Sequence, residues 1–221
     1  NGRRIKTFMH RYLWFVFGVL LNSFGVALIT KAALGTSPIS SVPYVLSFAF
    51  PFTFGQITFA FNMLFIIGQF VLLRKDFHPI QWLQIAVNLI FSACIDGSMN
   101  LLTWFEPTNL VSEAIALLLG CAILGLGISI EVAPDVLMVP GEGVVKAITR
   151  VSGKRFGSIK IGFDVSLVLL ACVLSVVFQH PLQGLGIGTI VSALVVGRFV
   201  NFFNRHLPLI TRIAGLKRCV A

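Results

Sequence analysis

Charge is what this chain has least of. Only 11% of its 221 residues are Asp, Glu, Lys or Arg, while 57% are apolar. A soluble domain carries about 25% charged residues to cover its surface, so the composition excludes a soluble enzyme or binding module. Cysteine is scarce too. Cys94, Cys121 and Cys172 lie inside apolar runs and Cys219 lies in the tail, none at metal-ligand spacing, which excludes a zinc site or disulfide framework. No Ser/His/Asp or Cys/His set converges. The chain is therefore read as no enzyme, with no catalytic residue, no cofactor and no metal. Gly184-Leu185-Gly186-Ile187-Gly188 lacks the preceding strand and following lysine of a phosphate loop and reads as close helix packing. His78 and His180 precede prolines at span boundaries and read as interfacial caps.

What is present is long apolar runs. Six are of the ~20 residues a helix needs to cross a bilayer: Tyr12–Ile29, Gly55–Leu73, Ile80–Trp104, Leu110–Ile130, Ile159–Phe178 and Leu185–Phe203. Trp14 and Trp104 sit near span ends, where interfacial aromatics belong. Asn1 opens a basic, span-length segment without a small-residue cleavage site, which is expected to be a first transmembrane helix rather than a signal peptide.

The basic residues set the expected orientation. Arg3, Arg4, Lys6 and Arg11 precede the first span, and Arg74 and Lys75 follow the second. Lys146, Arg150, Lys154, Arg155 and Lys160 lie between the fourth and fifth, and Arg205, Arg212, Lys217 and Arg218 close the chain. With six spans all fall on one side, opposite Lys31 and the loop around Glu106. The positive-inside rule then makes both termini cytoplasmic in a bacterial inner membrane. The net charge of +9 is thereby topology, and no folded polar domain remains to bind nucleic acid.

The sequence also repeats. A shift of 102 residues, without a gap, brings Gly25 onto Gly127, Pro38 onto Pro140, Val42 onto Val144 and Phe54-Gly55 onto Phe156-Gly157. Phe61-Asn62 meets Phe163-Asp164, and His78-Pro79-Ile80-Gln81 meets His180-Pro181-Leu182-Gln183. Three spans per half is an odd number, so the second half must enter from the other side. The expected fold is an all-α membrane protein, a single domain over 1–221. Its two inverted three-helix repeats cover 12–104 and 110–203, and a basic cytoplasmic tail covers 204–221. Each half carries a short re-entrant or interfacial helix: apolar Ile39–Phe50 and amphipathic Val144–Val151. In the latter, Val144, Val145, Ile148 and Val151 share a side opposite Lys146 and Arg150.

Leu34-Gly35-Thr36-Ser37-Pro38, Phe54-Gly55, Val139-Pro140-Gly141-Glu142-Gly143, Phe156-Gly157 and Phe163-Asp164 resemble, in order and spacing, the YczE/YitT group of bacterial integral membrane proteins. The resemblance covers essentially the whole chain. It lacks the soluble C-terminal domain of the YitT branch and has Ser-Pro-Ile-Ser-Ser where YczE-like members tend to show Gly/Ser-Pro-Trp-Asp. It implies a membrane protein of transporter-like build, without a substrate.

The candidate site follows from the two interruptions. Thr36 or Ser37 before Pro38 reads as a helix N-cap, leaving free backbone N–H groups and the hydroxyls of Ser40 and Ser41 around it. Gly141 and Glu142 open the second short helix, where a carboxylate is favoured by the helix dipole. Asp164 lies within a span, a costly and by default functional position; its repeat partner is Asn62, and its structural alternative is an ion pair with Lys160. Asn62 and Gln56 are taken as further substrate contacts, although Gln56 shares with Asn22, Gln69, Asn88 and Asn100 the reading of interhelical glue. Glu142 and Asp164 are the candidate coupling groups. Asp96 and Arg198, repeat partners of opposite charge, are a candidate structural or gating pair.

The function expected is secondary transport of a small polar or anionic solute. The solute would bind near the midplane between the two short-helix N-termini, with a proton or sodium ion as coupling partner. The rivals are a channel of the same architecture and a non-transporting membrane accessory protein. A homo-oligomer is compatible with every one of these.

Overall fold

The computed structural model describes residues 2–154, 156–178 and 184–216. The second His-Pro-x-Gln, Arg155 and the tail residues Lys217, Arg218 and Cys219 lie outside them. Helix α1 spans Gly2–Lys31; a 3-10 turn at Pro38–Ser40 runs into α2, Ser41–Ala49; α3 spans Phe54–Leu73 and α4 Gln84–Leu101. Then come α5 at Leu110–Val132, α6 at Pro140–Ser152, α7 at Phe156–Val177, α8 at Ile187–His206 and α9 at Pro208–Gly215. No strand occurs among the described residues. Among the described residues six helices are long and apolar enough to cross a membrane, and the protein is a multi-pass membrane protein. The first begins some ten residues before Tyr12, because its basic N-terminal stretch continues the helix without a breaker. The tail is also more ordered than a basic tail requires: α9 buries Ile210 and Ile213. In α6, Val144 and Val145 are buried, whereas Val151 is 59% exposed, so the apolar stripe ends one turn before the helix does.

In each half the first helix ends, and the short helix begins, at a matched place. Ala33 and Asp135, 102 residues apart, both turn into the left-handed region (φ 63° and 51°) just past the ends of α1 and α5, the conformation that commonly closes a helix. Ser37 and Val139 are both extended caps, each followed by proline in the first turn of a short helix. Pro38 and Pro140 supply a fixed φ and no N–H where no partner exists for one.

Helices α1 and α5 form the centre and pack more extensively than any other described pair. Their backbones meet at glycines. A methyl group at Gly25 would stand 2.6 Å from Leu124 N, and one at Gly127 would stand 2.6 Å from Asn22 N. One at Gly18 would meet Glu131, and one at Gly120 would meet Ile29. As the α1 number rises the α5 number falls equally, so the two helices run antiparallel. Shifting each contact by one repeat also returns another of the four. Small residues at such crossings let helix backbones approach where no hydrophobic drive exists between them in lipid.

The outer helices differ between the halves. α3 packs along α4, and buried amides hold the seam. Asn62 Nδ2 donates to Asn88 Oδ1 at 3.1 Å, Asn88 Nδ2 donates to Phe59 O, and Gln69 and Gln84 exchange two amide bonds at 3.0 and 3.1 Å. At the matching places the second half has Asp164 and Ile190, then Ala171 and Gly186. Without those bonds α7 and α8 stand apart over the described residues, and a cleft of about 440 Å³ lies between them. Asn88→Ile copies the second half into the first. It is expected to cost about 1 kcal/mol, the scale of interhelical hydrogen bonds in membranes, read as a lowered melting temperature in detergent.

Candidate functional site

The two short helices touch at their starts. Gly141, in the first turn of α6, packs against the Ile39 side chain, with Phe65 beside it. Ile39 and Gly141 are related by the 102-residue shift. Gln69 Nε2 donates to Pro140 O at 3.1 Å and anchors α6 from α3.

Around the first short helix the site is neutral and hydroxyl-rich. Thr36, Ser37, Ser40 and Ser41 are all buried. Thr36 N–H donates to Thr189 Oγ1 at 3.2 Å, its hydroxyl shares a bond with Thr30 at 3.0 Å, and Ser41 Oγ donates to Pro38 O. Ser37 Oγ is buried without a partner. Gly188 N–H donates to Leu34 O at 2.8 Å, and methyl groups at Gly186 or Gly188 would run into that same carbonyl. The glycine run is therefore a docking surface for the Leu34–Thr36 loop rather than a contact between two helices. Gly35 itself has φ 138°, a conformation open to glycine.

At the start of α6 the site is acidic, while Lys146 and Arg150 lie farther along the helix. Glu142 lies in its first turn, and burial pushes its carboxyl up from the ordinary value, Lys160 pulls it down, and Asp164 pushes it up again. Asp164 is held by Lys160 at 2.9 Å, one turn away on α7. The sequence missed a third acid. Glu131, on α5, is 1% exposed; its Oε2 accepts from Asn22 Nδ2 at 2.9 Å, while Oε1 has no partner in hydrogen-bonding geometry. Val139 N–H and Glu142 both act on it, so it sits at the start of α6. Its repeat partner is Ile29.

The cleft links the two regions. Pro38 borders it at the start of the first short helix, Asp164 on α7 and Thr189 on α8; Val165, Leu169 and Ile190 make its apolar walls. A smaller cavity of about 160 Å³ lies beside α6, lined by Gln69, Gln84, His78, Lys146 and Arg150; Arg150 also reaches Asp76 at 3.6 Å.

Of the candidate residues, Thr36, Ser37, Ser40, Ser41, Gly141, Glu142 and Asp164 gather around this meeting point. Asn62 is in the α3–α4 seam. Gln56 is away from it, capping α3: its Oε1 accepts from Thr53 N–H while its own N–H donates to Thr53 Oγ1. Asp96 and Arg198 do not pair. Asp96 accepts from Thr53 Oγ1 at 2.7 Å and from Gly55 N–H at 2.8 Å, because the N-terminus of α3 offers unpaired donors and a positive dipole end nearby. Arg198 is exposed. Among the described residues no group of three or more His, Cys, Asp or Glu side chains could hold a metal ion.

A family profile matches residues 9–205, nearly the whole membrane domain. The chain belongs to DUF6198, a family of unknown function. This DUF6198 protein is also similar to "Uncharacterized protein YyaS" of Bacillus subtilis (strain 168), at 27% identity over 209 residues, covering 91% of this chain and 94% of that one. Neither match names the YczE/YitT group. No solved structure matches.

Proposed function

We propose that this DUF6198 protein is a secondary transporter of a small polar solute, built as two inverted repeats in a bacterial inner membrane with both termini cytoplasmic. The observation that carries the reading is the antiparallel α1–α5 contact set, whose members exchange under the 102-residue shift. A two-fold axis between antiparallel spans lies in the membrane plane, which is the build of many transporters that bind solute at the repeat interface. The unequal outer seams support it as well. One half is zipped by amides and the other, without matching amides, is open; closing and reopening of the α7–α8 cleft would change the access of the centre.

The charge balance narrows the solute. At the start of α6 three carboxylates, Glu131, Glu142 and Asp164, act together with Lys160, while Lys146 and Arg150 lie farther along that helix, and the cleft walls are apolar. A solute with an apolar body and a cationic or donor end suits this site better than an anion. Glu142 and Asp164 are its coupling groups.

Tetraphenylphosphonium and tetraphenylborate, a cation and an anion of nearly the same shape, test the reading. The cation is expected to bind saturably and raise the melting temperature of the purified protein, as a ligand of the folded state does. Asp164→Asn should weaken it about tenfold, ~1.4 kcal/mol, and counterflow of the labelled cation in proteoliposomes distinguishes a carrier from a channel. Equal effects of both ions on both proteins would overturn the proposed solute class.

A further inference from the structure

The acid that the sequence missed has an environment unlike that of the other seven. Glu131 is enclosed between α1 and the start of α6, with the Gly18 backbone on one side. From α1 it meets Asn22, while Arg11 on the same helix is turned to the carbonyls of Pro134 and Asp135. From α6 the charge of Glu142 acts on it, and on Glu142 act those of Lys160 and Asp164 of α7. α8 packs on α5 through Phe199, which faces Gly125, and its Arg198 is exposed. α9 brings Ile210 and Ile213 into the interior. Among the described residues no cation pairs with Glu131. A carboxylate so enclosed, with the Asn22 amide and the Val139 N–H near it but no cation paired to it, is costly in a medium of low polarity, and the direct way to remove the cost is to bind a proton.

We propose that Glu131, held by Asn22 at the start of α6, is a proton-binding site that is filled in this state and exchanges its proton with Glu142. In the step the O–H bond at Glu131 breaks, one forms on the carboxylate of Glu142, and Glu131 is left ionised. Glu142 then passes the proton toward the Lys160–Asp164 pair at the edge of the cleft. The arrangement makes the start of α6 the junction between proton and solute: α6 carries Glu142, Val139 caps it over Glu131, and Gly141 touches the first short helix. Asn22 is the positioning residue, since its amide donates to one carboxyl oxygen and leaves the other to carry the proton. The matching positions in the opposite half, Ile29 and Leu124, are apolar, so the proton site exists on one side of the two-fold only.

This inference rests on the transport reading for its purpose but not for its test. Difference infrared spectroscopy of the purified protein in phosphatidylcholine vesicles detects a protonated carboxyl directly, with no solute present. The wild type is expected to show a carboxylic-acid C=O band near neutral pH that disappears in Glu131→Gln and persists in Asp164→Asn. Asn22→Leu should keep the band but move its frequency, because the hydrogen bond to Oε2 is gone; this holds even if Glu131→Gln folds poorly. Absence of the band from the folded wild type, or its survival unchanged in both Glu131→Gln and Asn22→Leu, would overturn the proposal. A tetraphenylphosphonium result of either kind leaves the infrared outcome independent, so the solute and the proton site fail separately.

Discussion

Gly25→Val and Gly127→Val are each expected to abolish a monodisperse protein, and to do so equally. At both glycines the added side chain meets backbone of the partner helix, Leu124 N and Asn22 N, at 2.6 Å. Backbone cannot rotate out of the way as a flexible side chain can. The helices must separate along the seam that centres the fold, and overpacking of this kind costs about 3 kcal/mol. Gly68→Val and Gly162→Val, where a Cβ meets nothing within 4 Å, should stay within about 0.5 kcal/mol of wild type. Size-exclusion profiles and thermal melts in detergent read both sets. A clear inequality between Gly25→Val and Gly127→Val would count against the two-fold relation of the halves.

Lys160→Met is expected to have the second largest effect and to make stability steeply pH-dependent. It strips the counter-charge from Asp164, 2.9 Å away, and removes the cation that holds the Glu142 carboxyl down. Breaking a buried pair costs about 3 kcal/mol when one charge is left behind. The two side chains are 30% and 24% exposed, which places the loss at or below that figure. The sign with pH follows from Glu142, whose carboxyl is raised in the folded protein. The folded state holds that proton more tightly than the unfolded chain does. The stability so gained is complete below the unfolded carboxylate value, about pH 4, and is lost as pH rises through the raised value. Wild-type melting temperature should therefore fall as pH rises from acid toward neutral. Lys160→Met should deepen that fall, and Glu142→Gln should flatten it. Wild-type melting by Lys160→Met at every pH would remove the acidic cluster from the account.

The spans were legible because they depend on a pattern that local chemistry enforces. Apolar length decides a span, and Pro38, Pro140 and the glycines of α1 and α5 recur because a fixed φ or a close approach leaves few alternatives. The cap on α3 was legible as well: Thr53-x-x-Gln56 before an apolar run is a capping-box pattern, and giving it weight would have kept Gln56 out of the solute site. Asp96 was not legible, since its partners Thr53 and Gly55 lie some forty residues away and only the fold brings them together. Nor was Glu131, which stands at the end of an apolar run where an acid normally faces headgroups or water. Its one sequence signal was the unequal exchange with Ile29, a charged residue matched to an apolar one in an otherwise conservative repeat. The open α7–α8 seam shows the same inequality in Asn88 against Ile190 and Gln84 against Gly186.

The transport proposal rests on two halves that face opposite ways, and labelling tests that most directly. Single cysteines at Lys6, Thr108 and Lys154, all exposed, are placed in a background lacking Cys94, Cys121, Cys172 and Cys219 and probed with a membrane-impermeant maleimide in sealed vesicles of known orientation. Lys6 and Thr108 are repeat partners. The account predicts that Thr108 is labelled from the periplasmic face and that Lys6 and Lys154 are labelled from the cytoplasmic face alone; labelling of Lys6 and Thr108 from the same face would contradict it.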